Sequence, residues 1–269
     1  MATADLLTIN FQAILGRVRS YYFPICSVSY VPFRAATDCS VWFTVTFTFD
    51  RFVAICCQKL KAKYCTGKTA AVVLSTTGIL FCFKNAPYFF MYRPMKVIDN
   101  IPWGCIRKSS YYTDPGWVGY SWLSTVLTPL LPFVLILLLN ALTIRHILVT
   151  SRVRKGLRGQ SKAENRSDPE MESRRRSVIL LLTISGSFII LWSVKVAEFL
   201  YYTITGQDQN SYNDSEYIFQ QAGYMLMILS CCTNTFIYGV TQSKFREQFI
   251  SAVKYPLTSI IQLINKRTI

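Results

Sequence analysis

The chain has 269 residues, of which 51% are hydrophobic and 14% aromatic, and its mean hydropathy is +0.28. Because the hydrophobic residues come in long blocks, this composition excludes an ordinary soluble domain and indicates a chain that crosses a membrane several times. The net charge of +15 would suggest nucleic acid in a soluble protein, but the basic stretch 145–176 lies between two apolar blocks, so we expect no nucleic-acid partner.

Apolar runs predict the helices. A run of roughly 20 residues is needed to cross about 30 Å of hydrocarbon. One shorter run and five of full length lie near 1–16, 25–58, 68–92, 118–149, 173–204 and 216–240. The first run has no basic leader and no small-residue cleavage site, so it is not interpreted as a signal peptide. The sequence therefore predicts an all-α transmembrane bundle over 1–240 and a cytoplasmic tail over 241–269.

The distribution of basic residues predicts the orientation of the helices. If one side of the membrane holds the Arg51 loop, the stretch 145–176 and the tail, that side has 20 of the 29 Lys and Arg residues. The segments on the other side have 6. By the positive-inside rule, the Arg51 end is cytoplasmic. Asn213, in an Asn-Asp-Ser sequon, then lies on the outer side, where it can be glycosylated.

The long run 25–58 contains charged residues. Arg34 and Asp38 lie inside it, and the adjacent pair Asp50 and Arg51 lies at its cytoplasmic end. An ionised pair at the end of a hydrophobic helix is costly to desolvate unless each member compensates the other, so such pairs tend to be functional. We interpret Asp50 and Arg51 as part of a switch. Arg34 has to snorkel or line a wet cavity.

The cysteines indicate one disulfide. The nine cysteines show no zinc-binding spacing. Cys26 and Cys105 both fall at the outer membrane face, where the compartment is oxidising, so we expect a disulfide between them. It fixes the loop 93–117, in which Asp114-Pro115-Gly116 is typical of a turn, as an ordered lid.

Several motifs follow one another in a fixed order. They are Ala-x-Ala-Asp ending at Asp5, Asp-Arg-Phe at 50–52, Phe-x-x-x-Trp at 188–192, Asn-x-x-x-Tyr at 234–238 and Phe-Arg-x-x-Phe at 245–249. In this order the chain resembles class A (rhodopsin-like) G-protein-coupled receptors over essentially its whole length. Residues 40–56 resemble fish members of a peptide-receptor-like orphan group, related to aromatic-amino-acid-responsive orphan receptors.

The resemblance implies a seven-helix receptor bundle that lacks helix 1 and the first half of helix 2, with an interfacial helix 8 after residue 240. On this expectation the chain is N-terminally truncated and signals poorly. It also departs from the family pattern: Val194 replaces the hinge proline, Leu191 replaces a cysteine, and Arg174 stands where an acid often faces the Asp-Arg pair.

The resemblance also implies three groups of site residues. The G-protein switch consists of Asp50, Arg51, Asn140 and Tyr238. A polar core, which holds a sodium ion at Asp5 or is a hydrogen-bonded core without an ion, consists of Asp5, Ser40, Trp192, Ser230 and Asn234. A ligand pocket beneath the Cys105 loop, whose acid and base suit a small zwitterion or a peptide end, consists of Phe33, Asp38, Lys195, Glu198, Gln220 and Gln221.

The implied function is that of a multi-pass plasma-membrane receptor. It passes a signal from an extracellular peptide or small molecule to a heterotrimeric G protein, with no cofactor other than sodium. One alternative is a transporter, because several charges lie at membrane depth, namely Arg34, Asp38, Lys84 and Lys195. Another is a receptor fragment without function. An enzyme is not expected, because the only histidine, His146, has no acid or nucleophile at matching spacing.

Overall fold

The computed structural model describes residues 5, 7–8, 23–158, 169–205, 213–241, 246–247 and 250–251, without the side chains of a few of them, Cys26 and Tyr238 included. In chain order the helices are α1 (Phe23–Cys56), α2 (Gln58–Tyr64), α3 (Gly67–Asn85), a 3-10 helix (Ala86–Phe90), α4 (Ser110–Thr113), α5 (Pro115–Thr125), α6 (Leu131–Arg158), α7 (Pro169–Thr205) and α8 (Asp214–Thr241). The predicted interfacial helix after residue 240 falls mostly outside the described residues.

Four stretches of the described chain are long and apolar enough to cross a membrane. They are Ser27–Cys56, Gly67–Phe90, Pro115–Arg152 and Ser177–Tyr202. The predicted helical transmembrane fold is thereby confirmed. The basic segment after α1 contains the short helix α2, which the sequence did not predict.

Part of the outer loop is a β-hairpin that the sequence analysis missed. Strands β1 (Tyr92–Ile98) and β2 (Ile101–Arg107) pair antiparallel. The two residues between them, Asp99 and Asn100, have φ angles of 51° and 61°. A two-residue type I′ turn needs this left-handed conformation at both positions, and Asp and Asn tolerate it better than most residues.

An aromatic cluster holds the base of the hairpin against the outer end of α1. The ring of Tyr30 lies edge-on to the ring of Tyr88, with centroids 5.6 Å apart, and to that of Tyr92, at 5.3 Å. Beside them, the carbonyl of buried Met91 accepts a hydrogen bond from the Lys108 N–H at 3.0 Å. Aromatic pairs of this geometry add about 0.5–1.5 kcal/mol each beyond area burial, so the hairpin is fixed over the bundle.

The segment Asp114-Pro115-Gly116 starts a helix, where the sequence analysis expected a turn within the lid. The Asp114 carboxylate accepts hydrogen bonds from the N–H groups of Gly116 at 2.7 Å and Trp117 at 3.4 Å. An acid at the N-cap followed by proline is a typical helix start. The helix widens at 126–130, where Thr128 has non-helical φ and ψ angles (−153° and 104°) before Pro129. Proline has no N–H to donate, which accounts for the bend.

The core of the bundle lies where α1, α6, α7 and α8 meet. Its buried side chains are Phe33, Val41, Val45, Ile136, Phe188, Trp192 and Met227. The outward faces are apolar too, and Val72, Phe83 and Ile190 are exposed there. In a membrane-spanning chain these faces contact lipid tails, which are as apolar as the core itself.

Threonine hydroxyls on α1 are bonded within their own helix. Thr37 donates to the Phe33 carbonyl at 2.9 Å, and Thr44 donates to that of Ser40 at 3.0 Å. Thr48 donates to the Thr44 carbonyl at 2.8 Å. This local bonding satisfies the hydroxyls in an apolar environment, and it leaves the threonine methyl groups to face neighbouring helices.

Candidate functional site

Arg51 lies near the C-terminal end of α1, where it contacts its own helix and α7. Its Nη2 is 2.7 Å from Asp50 Oδ2, and its Nη1 donates to Ser177 Oγ on α7 at 3.4 Å. The guanidinium also lies over the Phe47 ring, 5.4 Å from the centroid. Its Nε is buried and makes no hydrogen bond. Arg51 is therefore held by the acid of its own helix and tied to α7 by a neutral hydroxyl.

The acceptor on α7 is a residue that sequence reasoning missed. The residue expected opposite Arg51 was Arg174, whose side chain lies outside the described residues, and Ser177 is about one helical turn further along. A serine oxygen accepts more weakly than a carboxylate, so this tie between α1 and α7 is weak.

Cys65 also faces the site, and its thiol donates to the Asp50 carbonyl at 3.7 Å. Burial raises the pKa of the Cys65 thiol, which keeps its proton on sulfur.

Asn140 connects α6 to α7. Its Nδ2 donates to Ser185 Oγ at 2.8 Å, and the Ser185 hydroxyl donates to the Leu181 carbonyl at 2.6 Å. Asn140 Oδ1 is buried without a hydrogen bond. The structure thus joins Asp50 to Arg51 and places Asn140 in a contact with α7. The side chain of Tyr238, the fourth predicted switch residue, lies outside the described residues.

Asp5 and Ser40 form the centre of a buried polar group. The Ser40 hydroxyl donates to Asp5 Oδ1, and the side chains of Cys231 and Asn234 also interact with the carboxyl group. Both Asp5 and Asn234 are buried. Asp5 Oδ2 and Asn234 Oδ1 make no hydrogen bond within the described part of the chain. Two buried acceptor oxygens therefore have no hydrogen-bond donor among the described residues, in the same group as the Ser40 hydroxyl.

This donor set fits a sodium ion. A carboxylate, a hydroxyl and an amide oxygen are the ligands that a hard cation prefers. The described residues hold no group of three or more His, Cys, Asp or Glu side chains that could bind a metal ion. Ser230 and Trp192 are buried as well. The Trp192 ring lies 5.4 Å from that of Phe188, so Trp192 packs in the apolar core.

Asp38 forms a buried ion pair between α1 and α3. Its Oδ2 is 2.6 Å from Lys84 Nζ and accepts a hydrogen bond from Asn85 Nδ2 at 2.7 Å. The Tyr120 hydroxyl donates to the Lys84 carbonyl at 2.5 Å, which ties α5 to the same place. Asp38 is completely buried. Sequence analysis assigned no chemistry to Lys84 beyond a charge at membrane depth.

Lys195 and Glu198 pair with each other on α7. Lys195 Nζ is 2.5 Å from Glu198 Oε2 and lies over the Tyr224 ring of α8, 3.8 Å from its centroid. A side chain at Gly223 would place its Cβ only 3.2 Å from Glu198 Oε2. The glycine therefore lets the buried carboxylate approach α8 closely.

Three of the residues predicted to line the ligand pocket have their own contacts. Phe33 belongs to the core, and Asp38 pairs with α3 and not with Lys195. Gln220 and Gln221 are half-buried on α8, about one turn before Tyr224. The charges that suggested a zwitterion site are thus compensated in two separate local pairs.

Arg34 lies between α1, the 3-10 helix and α5. Its Nη2 donates to Ser124 Oγ at 3.4 Å, and its guanidinium lies over the Tyr88 ring, 5.3 Å from the centroid. The Tyr88 hydroxyl donates to the same Ser124 Oγ at 3.1 Å. Arg34 Nε is buried without a hydrogen bond. The arginine therefore points into the protein, where the Ser124 hydroxyl is its hydrogen-bond partner and the Tyr88 ring is its aromatic contact.

Two outer features concern covalent modification. Cys105 is disulfide-bonded, and the side chain of Cys26 lies outside the described residues. Asn213 is exposed at the start of α8, where its Oδ1 accepts from the Glu216 N–H at 2.9 Å and its own N–H donates to Glu216 Oε2 at 3.0 Å. This reciprocal cap leaves the Asn213 amide nitrogen at the surface.

Residues 1–238 match the family described as 7 transmembrane receptor (rhodopsin family). The matched region includes Asp5, the Asp50-Arg51 pair and Tyr238, so all three predicted groups of site residues fall within it. Two of the charges on which the transporter alternative rested, Asp38 and Lys84, form an ion pair with each other.

Proposed function

This chain belongs to the rhodopsin family of seven-transmembrane receptors, and we propose that it transduces an extracellular small-molecule or peptide signal to a heterotrimeric G protein at the plasma membrane. Members of this family are in general signalling receptors and not enzymes. The proposal extends to the fish peptide-receptor-like orphan group, related to aromatic-amino-acid-responsive orphan receptors, that residues 40–56 and 151–175 resemble.

The observation that carries the proposal is the arrangement around Arg51. The guanidinium is bound to Asp50 at 2.7 Å, and among the described side chains of α7 its hydrogen-bond partner is Ser177 at 3.4 Å. Both members of the ion pair are about one-third exposed, at 34% and 32%, so water screens their attraction. A switch needs two arrangements that differ by a few kcal/mol, so that a ligand's differential affinity can reverse them. Weak ties of this kind suit such a switch.

Two further parts belong to the proposal. The pairing of Cys105 with Cys26 is supported by the seven other cysteines, which all carry free thiols. A sodium ion is proposed at Asp5, held by the carboxylate with Ser40 and Asn234, where it would supply a positive charge that compensates the buried acid. Asn213 is proposed as the glycosylated residue.

Replacing Asp50 with asparagine tests the signalling proposal. The change removes the charge that holds Arg51 while keeping a side chain of similar shape. A surface ion pair is worth up to about 1 kcal/mol, so the ligand-independent signal is expected to rise by roughly fivefold. The measurement is G-protein dissociation in cells, run against each G-protein family with surface expression matched. Asp99→Asn, which changes an exposed acid in the hairpin turn, is the control. If the Asp50 variant activates no G protein above untransfected cells, the proposal fails.

Sodium is expected to stabilise the protein through Asp5. At ten times its dissociation constant, a ligand that binds only the folded state adds about 1.4 kcal/mol. The apparent melting temperature of the purified protein is compared in sodium chloride and in choline chloride at equal ionic strength. Asp5→Asn, which keeps an oxygen for Ser40 but loses the charge, should abolish the difference, and Asp99→Asn should preserve it. An equal sodium effect in the Asp5 variant would place the ion elsewhere.

A further inference from the structure

The short helix α2 (Gln58–Tyr64) lies between two stretches that are long and apolar enough to cross a membrane. The first stretch ends at Cys56 and the second begins at Gly67, so residues 57–66 alone connect them. One residue precedes α2 in this connection and two follow it. Because the connection is so short, α2 has to stay close to the boundary between hydrocarbon and water.

The chain leaves the axis of α1 before α2 begins. Cys57, between the two helices, has φ and ψ angles of −124° and 63°, which a continuous helix does not allow. Its N–H still donates to the Val53 carbonyl at 2.9 Å. At the other end of α2 the Cys65 thiol donates to the Asp50 carbonyl at 3.7 Å. Both ends of α2 are therefore bonded to the last turns of α1.

The side chains of α2 form an apolar stripe with lysines on both sides. Successive residues of a helix are rotated by about 100°, so Leu60 and Tyr64 lie side by side. Lys59 and Lys63 lie on one flank of this stripe, and Lys61 lies on the other. All five side chains are exposed, with Leu60 at 45% and Tyr64 at 49%. Helices that lie in a membrane interface have this pattern, since the apolar stripe enters the headgroup boundary and the lysines reach the headgroups.

The lysines of α2 have no acidic partner among the described residues. The helix contains no acid, and Asp50, the nearest acid along the chain, pairs with Arg51 at 2.7 Å. Lys68, in the first turn of α3, is also exposed and forms no ion pair within the described part of the chain. Beside an anionic leaflet, each lysine near the surface strengthens attachment by about fivefold. The positive charge of this segment is therefore available to anionic headgroups.

We propose that α2 anchors the segment 57–66 to anionic phospholipid, with its apolar stripe in the headgroup boundary and its three lysines against phosphatidylserine. The leaflet is the one on the side that the basic residues predict to be cytoplasmic. Because the lysines diverge on two flanks, they match a surface of singly charged headgroups, whereas one polyphosphate headgroup needs donors that converge. Through the contact of Cys65 with Asp50, the anchor joins the Arg51 end of α1 to the bilayer.

Hydrogen–deuterium exchange of the segment 57–66 tests this anchor. The full chain is placed in nanodiscs of phosphatidylcholine, which has no net charge, and phosphatidylserine is titrated in. Phosphatidylserine is expected to slow exchange in α2 of the parent. Lys59→Gln with Lys63→Gln should lower the apparent affinity for phosphatidylserine by about tenfold or more. Lys59→Arg with Lys63→Arg keeps both charges and should retain the affinity. Leu60→Ser should reduce the slowing while every charge remains.

The matched control is Arg145→Gln with Arg152→Gln, which removes two exposed arginines from α6. It should respond to phosphatidylserine as the parent does. Each variant is also compared with itself in phosphatidylcholine alone, so that a change in the fold of α2 is seen without the anionic lipid. Because the altered side chains of α2 are exposed, the variants are expected to match the parent there.

Several results would overturn the proposal. One is exchange in the parent that does not change with phosphatidylserine. Another is an equal loss of affinity in the α2 and α6 double variants, because net charge and not α2 would then attract the lipid. Slowing by phosphatidylinositol bisphosphate alone would indicate a single headgroup site, and slowing by purified G protein alone would indicate a protein-docking surface. This inference goes beyond the proposed signalling, and no measurement here uses coupling through Arg51, so its failure leaves the receptor function standing.

Discussion

Replacing Lys84 with methionine is expected to destabilise the protein by about 3–5 kcal/mol, the cost of leaving one member of a buried ion pair without its partner. Asp38 is completely buried, and its Oδ2 receives Lys84 Nζ at 2.6 Å. Asn85 Nδ2, at 2.7 Å, remains as a neutral donor, so the lower end of the range is expected. Methionine has a side chain of similar length, so the loss of stability measures the missing charge and not a cavity.

The ion pair of Asp38 and Lys84 as a whole is expected to contribute almost nothing to the free energy of unfolding. The double variant Asp38→Leu with Lys84→Met removes both charges, and it should recover most of the stability that Lys84→Met loses, because a buried ion pair often contributes no more than apolar residues of similar size. Thermal unfolding of the purified single and double variants gives the coupling energy. Lys68→Met, which changes an exposed lysine at the start of the same helix, is the control. A loss below about 1 kcal/mol in the single variant would show that water or lipid already satisfies Asp38.

Replacing Arg51 with alanine is expected to lower ligand-independent coupling at least tenfold, to the level of untransfected cells. Its guanidinium is the group that the proposed switch releases, and its buried Nε–H is an unused donor. Arg51→Lys keeps the charge and loses the planar fork, so it should retain only a fraction of the coupling. Arg152→Ala, which removes an exposed arginine from the cytoplasmic end of α6, serves as the matched control.

The double variant Asp50→Asn with Arg51→Ala separates a loss of coupling at Arg51 from a loss of folded protein. The rise in coupling expected for Asp50→Asn should disappear when Arg51→Ala is added, since the released group is then absent. Surface expression of the double variant is measured alongside. Coupling that stays raised in the double variant would mean that Asp50 restrains some group other than Arg51.

The helices could be predicted from the sequence because their apolar runs are long. The run predicted near 25–58 corresponds to α1 at Phe23–Cys56, and the Asp50-Arg51 pair could be expected because its members are adjacent. The partners of Arg51 and Asp38 on other helices could not. Helical periodicity tells which residues share a face, but it does not give the rotation of one helix against another. Ser177 was therefore not identified, and Lys84 was identified as a charge at membrane depth but not as the partner of Asp38.

The hairpin was missed for a different reason. Its strands lie in a loop where alternation of apolar and polar residues is weak, and Arg93 and Lys96 interrupt the first of them. The adjacent Asp99 and Asn100 were a usable indication of a type I′ turn. The contact of Asp5 with Ser40, by contrast, followed from the family resemblance, which supplies the relative placement of helices that periodicity lacks.

The ties of α1 to the rest of the protein differ along its length. Asp38 pairs with Lys84, and Trp42 Nε1 donates to the Leu127 carbonyl at 3.1 Å, whereas Thr44 and Thr48 donate to carbonyls of α1 itself. Thirteen residues of helix separate Asp38 from Arg51, a distance of about 20 Å. A shift of α7 that separates Ser177 from Arg51 would therefore break no hydrogen bond made by either threonine hydroxyl.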